Sequence, residues 1–486
     1  MLFRLGMLLV LVGLIGGCAS SGQDEALAQR LRAVLNRQTQ AGVICSARVV
    51  ELPSGRELYA QEVDRALMPA SNQKLLVAAA ALDRLGADYT FKTYLAFDGR
   101  NLWVIGTGDP ATGDERIASR TSGSALTMFE QWATALRGRG ITRITGDLYY
   151  YDGLLDDQWV HPAWDKSFLA DWYAAPVAGL NFNDNCIDVS VSPASAGRLV
   201  RWKVTPSVRH TRIVNRCLST DIHAPTVLRS VEESSITLGG TCARPARLDS
   251  VAVANPGFFF TDALRTYLAD RGIRVQGQIR RAAGPLGNRM VPPANMLVAV
   301  HETPMRDVLW RMNKFSQNLF AEATVKVLGR QQELNQGRNA RGSWAAGGQA
   351  VRAFLERYGI DDSQVVIEDG SGLSRGNRAT ARAITGVLQV MFTHPAGELY
   401  RSSLAVPGEA GTLSRRMNDL QGCVMAKTGT LRGACSLSGY VRTRGGSWVC
   451  FSILYNGYAG EETPYRNLQD EACRVLAGYE PEAAAD

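Results

Sequence analysis

Apolar positions recur at Leu27, Leu31, Val34 and Leu35, a helical spacing that predicts an amphipathic helix from Asp24. A strand is expected over Val43 to Glu51, and Pro53-Ser54-Gly55 turns the chain into a second short strand near Leu58. Residues 75 to 86 (LLVAAAALDRLG) differ from both: they combine good helix formers, no β-branched run and a Gly86 suited to follow a helix C-terminus. This helix is apolar nearly all round. It therefore belongs in the interior rather than on a surface.

From about Tyr89 to Leu297 the texture changes to short strands punctuated by Gly, Pro and Asp, too long for a loop, which predicts one or two domains inserted at 89–297. Cys217 and Cys242 bracket an Arg-rich, β-like part, expected to form a small β module over 192–250. Tyr149 to Tyr173 is dense in aromatics and acids, and reads either as the lining of a peptide or carbohydrate groove or as a small core with solvated acids. Helical period returns at Thr303-Pro304, an N-cap and N1 pair, with Val308, Leu309 and Met312 on one face. It breaks at Lys314 to Asn318 and resumes through Leu319, Ala323 and Val327. A helix at Gly347 to Tyr358, a strand at Val365 to Glu368 and a loop from Asp369 to Arg375 follow.

Three antiparallel strands are expected at Val424 to Lys427, Ser436 to Arg442 and Trp448 to Tyr455, then a closing helix carrying Leu468, Ala472, Val475 and Leu476. The two ends of the chain can thus share one antiparallel sheet covered by the first and last helices, an α+β arrangement. Residues 25–88 and 298–486 would form this body around the insertion.

Composition adds a compartment. A hydrophobic content of 45% over 486 residues suffices for a sizeable core, and a net charge of +7 without a concentrated basic tract gives no argument for nucleic acid. Residues 1–18 read as an export signal: Arg4 precedes an apolar run from Leu5 to Ile15, too short to span a bilayer, which ends at Gly16-Gly17-Cys18. Ile15 to Cys18 resembles a bacterial lipobox, so Cys18 is the expected lipidation site, with 19–24 as a tether to a membrane on its periplasmic side. Eight further cysteines in an exported chain predict disulfides. None has CxxC spacing and no HExxH occurs, so neither a metal nor another cofactor is expected.

Lysine is scarce. Only Lys74, Lys92, Lys166, Lys203, Lys314, Lys326 and Lys427 occur, so Arg is the default surface cation. A lysine is then informative, because a group that must lose its proton cannot be replaced by Arg. Ser71 and Lys74 stand three residues apart at the mouth of the apolar helix, which places the amine one turn along from the hydroxyl. In isolation this is equally a Ser N-cap and a solvated lysine. Ser316-Gln317-Asn318 adds a hydroxyl and an amide at a helix break, and Lys427-Thr428-Gly429-Thr430 an ammonium, two hydroxyls and a glycine on a strand.

In this order the three match the SxxK, SxN and KTG motifs of penicillin-recognising serine acyl-transferases. Together with Gly106 to Pro110, Ile144 to Leu148 and Asp369 to Arg375, they resemble the class C low-molecular-mass penicillin-binding proteins, the D-alanyl-D-alanine carboxypeptidase/endopeptidase family, over nearly all of the chain after residue 24. The resemblance implies the penicillin-binding-protein/β-lactamase-like transpeptidase fold and a serine DD-peptidase acting on peptidoglycan stem peptides and acylated by β-lactams. It implies Ser71 as nucleophile, Lys74 as base, Ser316 as proton relay, Asn318 as a holder of the substrate amide, and Lys427 and Thr428 as the carboxylate site. Ser71 and Thr430 N–H groups would bind the oxyanion, and Gly429 would let substrate approach the strand. Asp152, by family position after the Gly146 to Leu148 strand, Arg375 and Arg432 are candidates for the diamino-acid side chain.

The middle motif is SQN rather than the SDN of class A β-lactamases, which favours a peptidase over a β-lactamase. Arg432 stands where relatives can carry an uncharged polar residue. A rival nucleophile exists in Gly372-Leu373-Ser374-Arg375-Gly376, a GxSxG, with only His394 downstream as base. A non-catalytic, lipid-anchored wall-binding protein would have lost a motif residue, and none is lost.

Overall fold

The computed structural model describes residues 22–37, 40–230, 235–286 and 291–480. Cys18 and the export signal lie outside the described residues. The two ends of the chain meet in a five-stranded antiparallel sheet in the order Glu57–Gln61, Ile44–Leu52, Trp448–Asn456, Ala434–Arg442 and Val424–Leu431. Pairing between the first and last long strands runs from Ile44 opposite Asn456 to Leu52 opposite Trp448 without a slip.

Side chains alternate across this sheet. Val449, Phe451 and Ile453 join Leu27, Leu31, Leu468 and Leu476 under the helices Gly22–Leu35 and Thr463–Ala477. Cys450 and Leu454 face the opposite core, shared with Leu75, Leu76, Ile384 and Leu388 of the helices Gln73–Arg84 and Ala381–Thr393. Both faces are covered, so these strands read as nearly unbroken apolar runs rather than as half-polar ones. The Gln73–Arg84 helix is buried from Gln73 to Leu82, as its all-round apolar surface requires.

Several boundaries differ from expectation. The first helix is described from Gly22, two residues before the expected Asp24. The strand expected to stop at Lys427 continues to Leu431, which sets Lys427 to Thr430 along the outer strand of the sheet. Thr303 caps nothing: it ends a strand, Leu297–Pro304, and its hydroxyl donates to Asp109 Oδ2 at 2.7 Å.

The insertion closes on its own stem, because its first strand, Thr90–Phe97, pairs antiparallel with its last, Leu297–Pro304. Leu102–Gly106, Leu148–Tyr151 and Ile279–Arg281 complete that sheet, the last two pairs being parallel. The helices Thr127–Gly138 and Pro256–Asp270 bring Phe129, Trp132 and Phe260 against Phe182 in a second core. Short strands between Cys186 and Cys242 bury Ile187, Val189, Ile236 and Leu238 in this same core, so the β-rich part shares its interior with the rest of the insertion.

The expected disulfides are absent among the described residues. All eight cysteines from Cys45 to Cys473 are free thiols. Seven are buried, divided among sheet faces and the insertion's core, where a thiol acts as a small hydrophobe. An even count of cysteines does not by itself bring sulfurs together.

Candidate functional site

The nucleophile helix is entered through a tight turn, Ala70–Asn72, in which Ala70 takes a positive φ of 47°. A non-glycine residue there is strained, and the surroundings hold it. Gly429 of the outer strand packs on this turn: a Cβ on it would stand 2.2 Å from Ser436 Oγ and 2.9 Å from both Pro69 O and Ser71 N. Gly429 is therefore needed for the close approach of strand to nucleophile turn, before any substrate is considered.

Lys74 is fully buried, and its Nζ has three partners: Ser71 Oγ at 3.0 Å, Asn318 Oδ1 at 2.7 Å and the Ser371 carbonyl at 2.9 Å. Burial pushes the Lys74 amine down to about 7, while the charges of Glu322 and Asp369 pull the other way. Ser316 sits at the break between Met305–Lys314 and Asn318–Asn335 with φ of 60°. Its Oγ accepts from Lys427 Nζ at 2.8 Å, and the same ammonium donates to Thr428 O at 2.8 Å. Burial, then the charge of Lys74, push Lys427 well below the usual lysine range. Asn318 is oriented by its other amide atom, Nδ2, which donates to Tyr173 O at 2.7 Å.

The loop after residue 368 completes the floor. Asp369 accepts from Gly372 N at 2.8 Å, Ser374 N at 2.6 Å, Asn377 Nδ2 at 2.8 Å and Trp164 Nε1 at 2.9 Å. Four donors on one buried carboxylate fix the loop and tie it to the insertion. Gly372 has φ of 85°, and a Cβ there would stand 1.9 Å from Ala70 O. Ser374, the GxSxG serine, is buried and donates to Glu368, while His394 packs against Tyr358 and Asp83. The rival nucleophile thus lacks its base.

Ser71, Ser316, Asn318 and Thr428 to Thr430 all line one cleft of about 600 Å³. Phe168, Trp172 and Tyr173, from the end of the aromatic stretch, form part of its wall with Phe315. Trp164 and Tyr150, earlier in that stretch, are core instead. Arg375 and Arg432 are exposed and touch each other, Arg375 Nη1 donating to Arg432 O at 3.0 Å. Asp152 is 2% exposed, its Oδ1 accepts from Arg281 Nε at 2.8 Å, and it is not among the residues that line the cleft.

Two cleft residues had no signal in the sequence. Arg466, on the closing helix, donates to Thr430 Oγ1 at 2.9 Å, and Arg416 lines the cleft beside it. Both stand alone among polar neighbours, and only the tertiary fold brings them to the KTGT strand. No group of three or more potential metal ligands occurs among the described residues, nor a helix long and apolar enough to cross a membrane.

The fold is similar to the crystal structure of penicillin binding protein 4 (dacB) from Haemophilus influenzae, with a TM-score of 0.74 over 94% of this chain and 99% of that chain at 23% identity. The expected penicillin-binding-protein fold is therefore the one observed. In sequence, the chain is 30% identical over 492 residues to a D-alanyl-D-alanine carboxypeptidase of Actinomadura sp. (strain R39), covering 95% of this chain and 86% of that relative. It is 27% identical over 417 residues to D-alanyl-D-alanine carboxypeptidase DacB of Haemophilus influenzae, covering 81% of each. Residues 27–478 match a single family model, and with Ser71 and Ser316 lining one cleft and each paired with a buried lysine, Lys74 and Lys427, the chain belongs to the D-Ala-D-Ala carboxypeptidase 3 (S13) family.

Proposed function

We propose that this protein is a serine DD-peptidase that cleaves the bond after the penultimate D-alanine of peptidoglycan stem peptides through an acyl-enzyme at Ser71. The observation that carries this reading is the contact set of Lys74. A neutral amine can donate to Asn318 Oδ1 and Ser371 O and keep its lone pair for the Ser71 hydroxyl, 3.0 Å away. Burial makes the neutral form accessible near neutral pH.

Ser71 Oγ attacks the carbonyl carbon as its proton passes to Lys74. The oxyanion is held by the N–H groups of Ser71 and Thr430. As the C–N bond breaks, the proton that Lys74 took from Ser71 is relayed through Ser316 to the departing amine, which leaves Lys74 neutral again, and Lys427 supports Ser316 from 2.8 Å. Lys427, Thr428 and Thr430 bind the terminal carboxylate, with Arg466 behind Thr430. Water, deprotonated by Lys74, then attacks the ester and frees Ser71. Penicillin enters the same first step, and a Haemophilus influenzae relative has been solved in complex with a β-lactam. Arg375 and Arg432 at the rim suit a substrate with a further carboxylate. The export-signal pattern of residues 1–18 and the lipobox-like Ile15 to Cys18 support a periplasmic enzyme held by a lipid at Cys18.

Incubation of the purified protein with a pentapeptide muropeptide and with its cross-linked dimer, followed by mass spectrometry, tests the reading and separates carboxypeptidase from endopeptidase action. Release of D-alanine or monomer, lost in Ser71→Ala, is expected. Turnover that survives Ser71→Ala would overturn it.

A further inference from the structure

Glu322 lies four residues beyond Asn318 on the same helix face, yet it touches neither Ser71 nor the cleft. It is wholly buried, and its carboxylate accepts three hydrogen bonds: Gly370 N at 2.9 Å and Trp344 Nε1 at 2.7 Å on Oε2, and Ser371 N at 2.8 Å on Oε1. Donors on both oxygens favour the ionised carboxylate, and Gln would set its own N–H groups against one of them. The turn it grips is the one whose Ser371 carbonyl receives Lys74 Nζ. The approach of that turn is tight, because a Cβ on Gly370 would stand 2.5 Å from Ala321 O.

We propose that Glu322 is a positioning residue for the acylation step: it fixes the Gly370-Ser371 turn that orients Lys74, and keeps a buried negative charge across Ser371 from that amine. The inference rests on the assignment of Lys74 as base. Two lysines, Lys74 and Lys427, and two carboxylates, Glu322 and Asp369, are fully buried, so their charges balance when all four are ionised. Around this quartet stand Lys326 on the Glu322 helix, paired with Asp156 at 2.7 Å, Glu368 on the loop, and His161 from the insertion. Glu322 is the larger of the two anionic influences on Lys74, ahead of Asp369. Burial also pushes Glu322 up to about 7, so the pair shares its protons over the range in which a base must work.

The sign of the effect is fixed. A negative charge near Lys74 favours its protonated form, so removing that charge must let Lys74 become neutral at lower pH. The experiment measures the rate constant for acylation by a fluorescent penicillin from about pH 5 to about pH 9 in wild type, Glu322→Gln and Glu322→Asp. The acid limb should move down by about one pH unit in Glu322→Gln and stay in place in Glu322→Asp. A uniform loss of rate with an unmoved limb would mean that Glu322 only braces the turn, and would overturn the proposal.

If Glu322→Gln does not fold, Trp344→Phe supplies the second arm. Loss of the indole donor lets Glu322 take up a proton sooner, so the limb again moves down, and an unmoved limb again overturns the proposal. Wild-type protein that penicillin does not label at Ser71 would instead defeat the assignment of the active site itself.

Discussion

Lys427 Nζ stands 2.8 Å from Ser316 Oγ, while Lys74 Nζ stands 3.0 Å from Ser71 Oγ, so each of the two serines lining the cleft is backed by a buried lysine. The second pair combines a relay with a carboxylate site. Lys427→Ala should slow penicillin acylation roughly ten- to a hundredfold, the loss of one charge-assisted contact of about 1.5–3 kcal/mol. Stopped-flow labelling measures this, and a change under twofold would remove Lys427 from substrate recognition.

Ser71→Ala should fold normally and form no acyl-enzyme. Lys74→Arg should be nearly as inactive, because a guanidinium cannot serve as base and its fork does not fit three acceptors set for one Nζ. Intact mass after penicillin treatment checks both; near-wild-type acylation of Lys74→Arg would refute the mechanism.

Acylation by wild-type protein should fall as pH drops below about 7, where Lys74 takes up the proton that burial otherwise disfavours. The fall should approach tenfold per pH unit well below that midpoint. A rate that is flat down to about pH 5 would exclude an amine of this character as the base.

Gly429→Ala would press a methyl group into Ser436 Oγ and the Ser71 turn. The expected cost is about 1–3 kcal/mol, read as a lower Tm, together with near loss of labelling because the turn itself is displaced. Wild-type labelling with an unchanged Tm would show that the strand can move aside.

Arg466→Ala should raise KM for peptide about tenfold with little change in Tm, since its guanidinium braces Thr430 from a half-exposed position. Equal KM values would make Arg466 a surface charge.

Thiol reagents offer a check on the fold. In protein lacking residues 1–21, Cys423 is the half-buried thiol and should react first, while the seven buried thiols react only on unfolding. Disulfide-linked peptides in a non-reducing map would contradict the free state.

The body of the fold was legible because its elements are long and their periods clean: the unbroken apolar helix after Lys74 and the strands around Lys427 have few other solutions. The three motifs were legible because each is local. The burial of Asp152 was not legible because its partner, Arg281, lies on a strand 129 residues away. Glu322 and Arg466 were silent for a similar reason: each acts through a backbone or hydroxyl group supplied by a remote loop or strand. Thr303 looked like a cap, but the pairing of Leu297–Pro304 with Thr90–Phe97 claimed it for a strand.

The bond from Trp164 to Asp369 and the bond from Asn318 to the carbonyl of Tyr173 both cross from the insertion to the catalytic loop and helix. A shortened enzyme made by splicing residue 88 to residue 298 would lose both, together with the aromatic wall of the cleft. The SxxK, SxN and KTG segments would survive in such a chain, but the loop that seats Lys74 and the amide that steers it would each have lost an anchor. The insertion is thus part of the smallest working unit, and a search for a minimal peptidase in this sequence has to keep it.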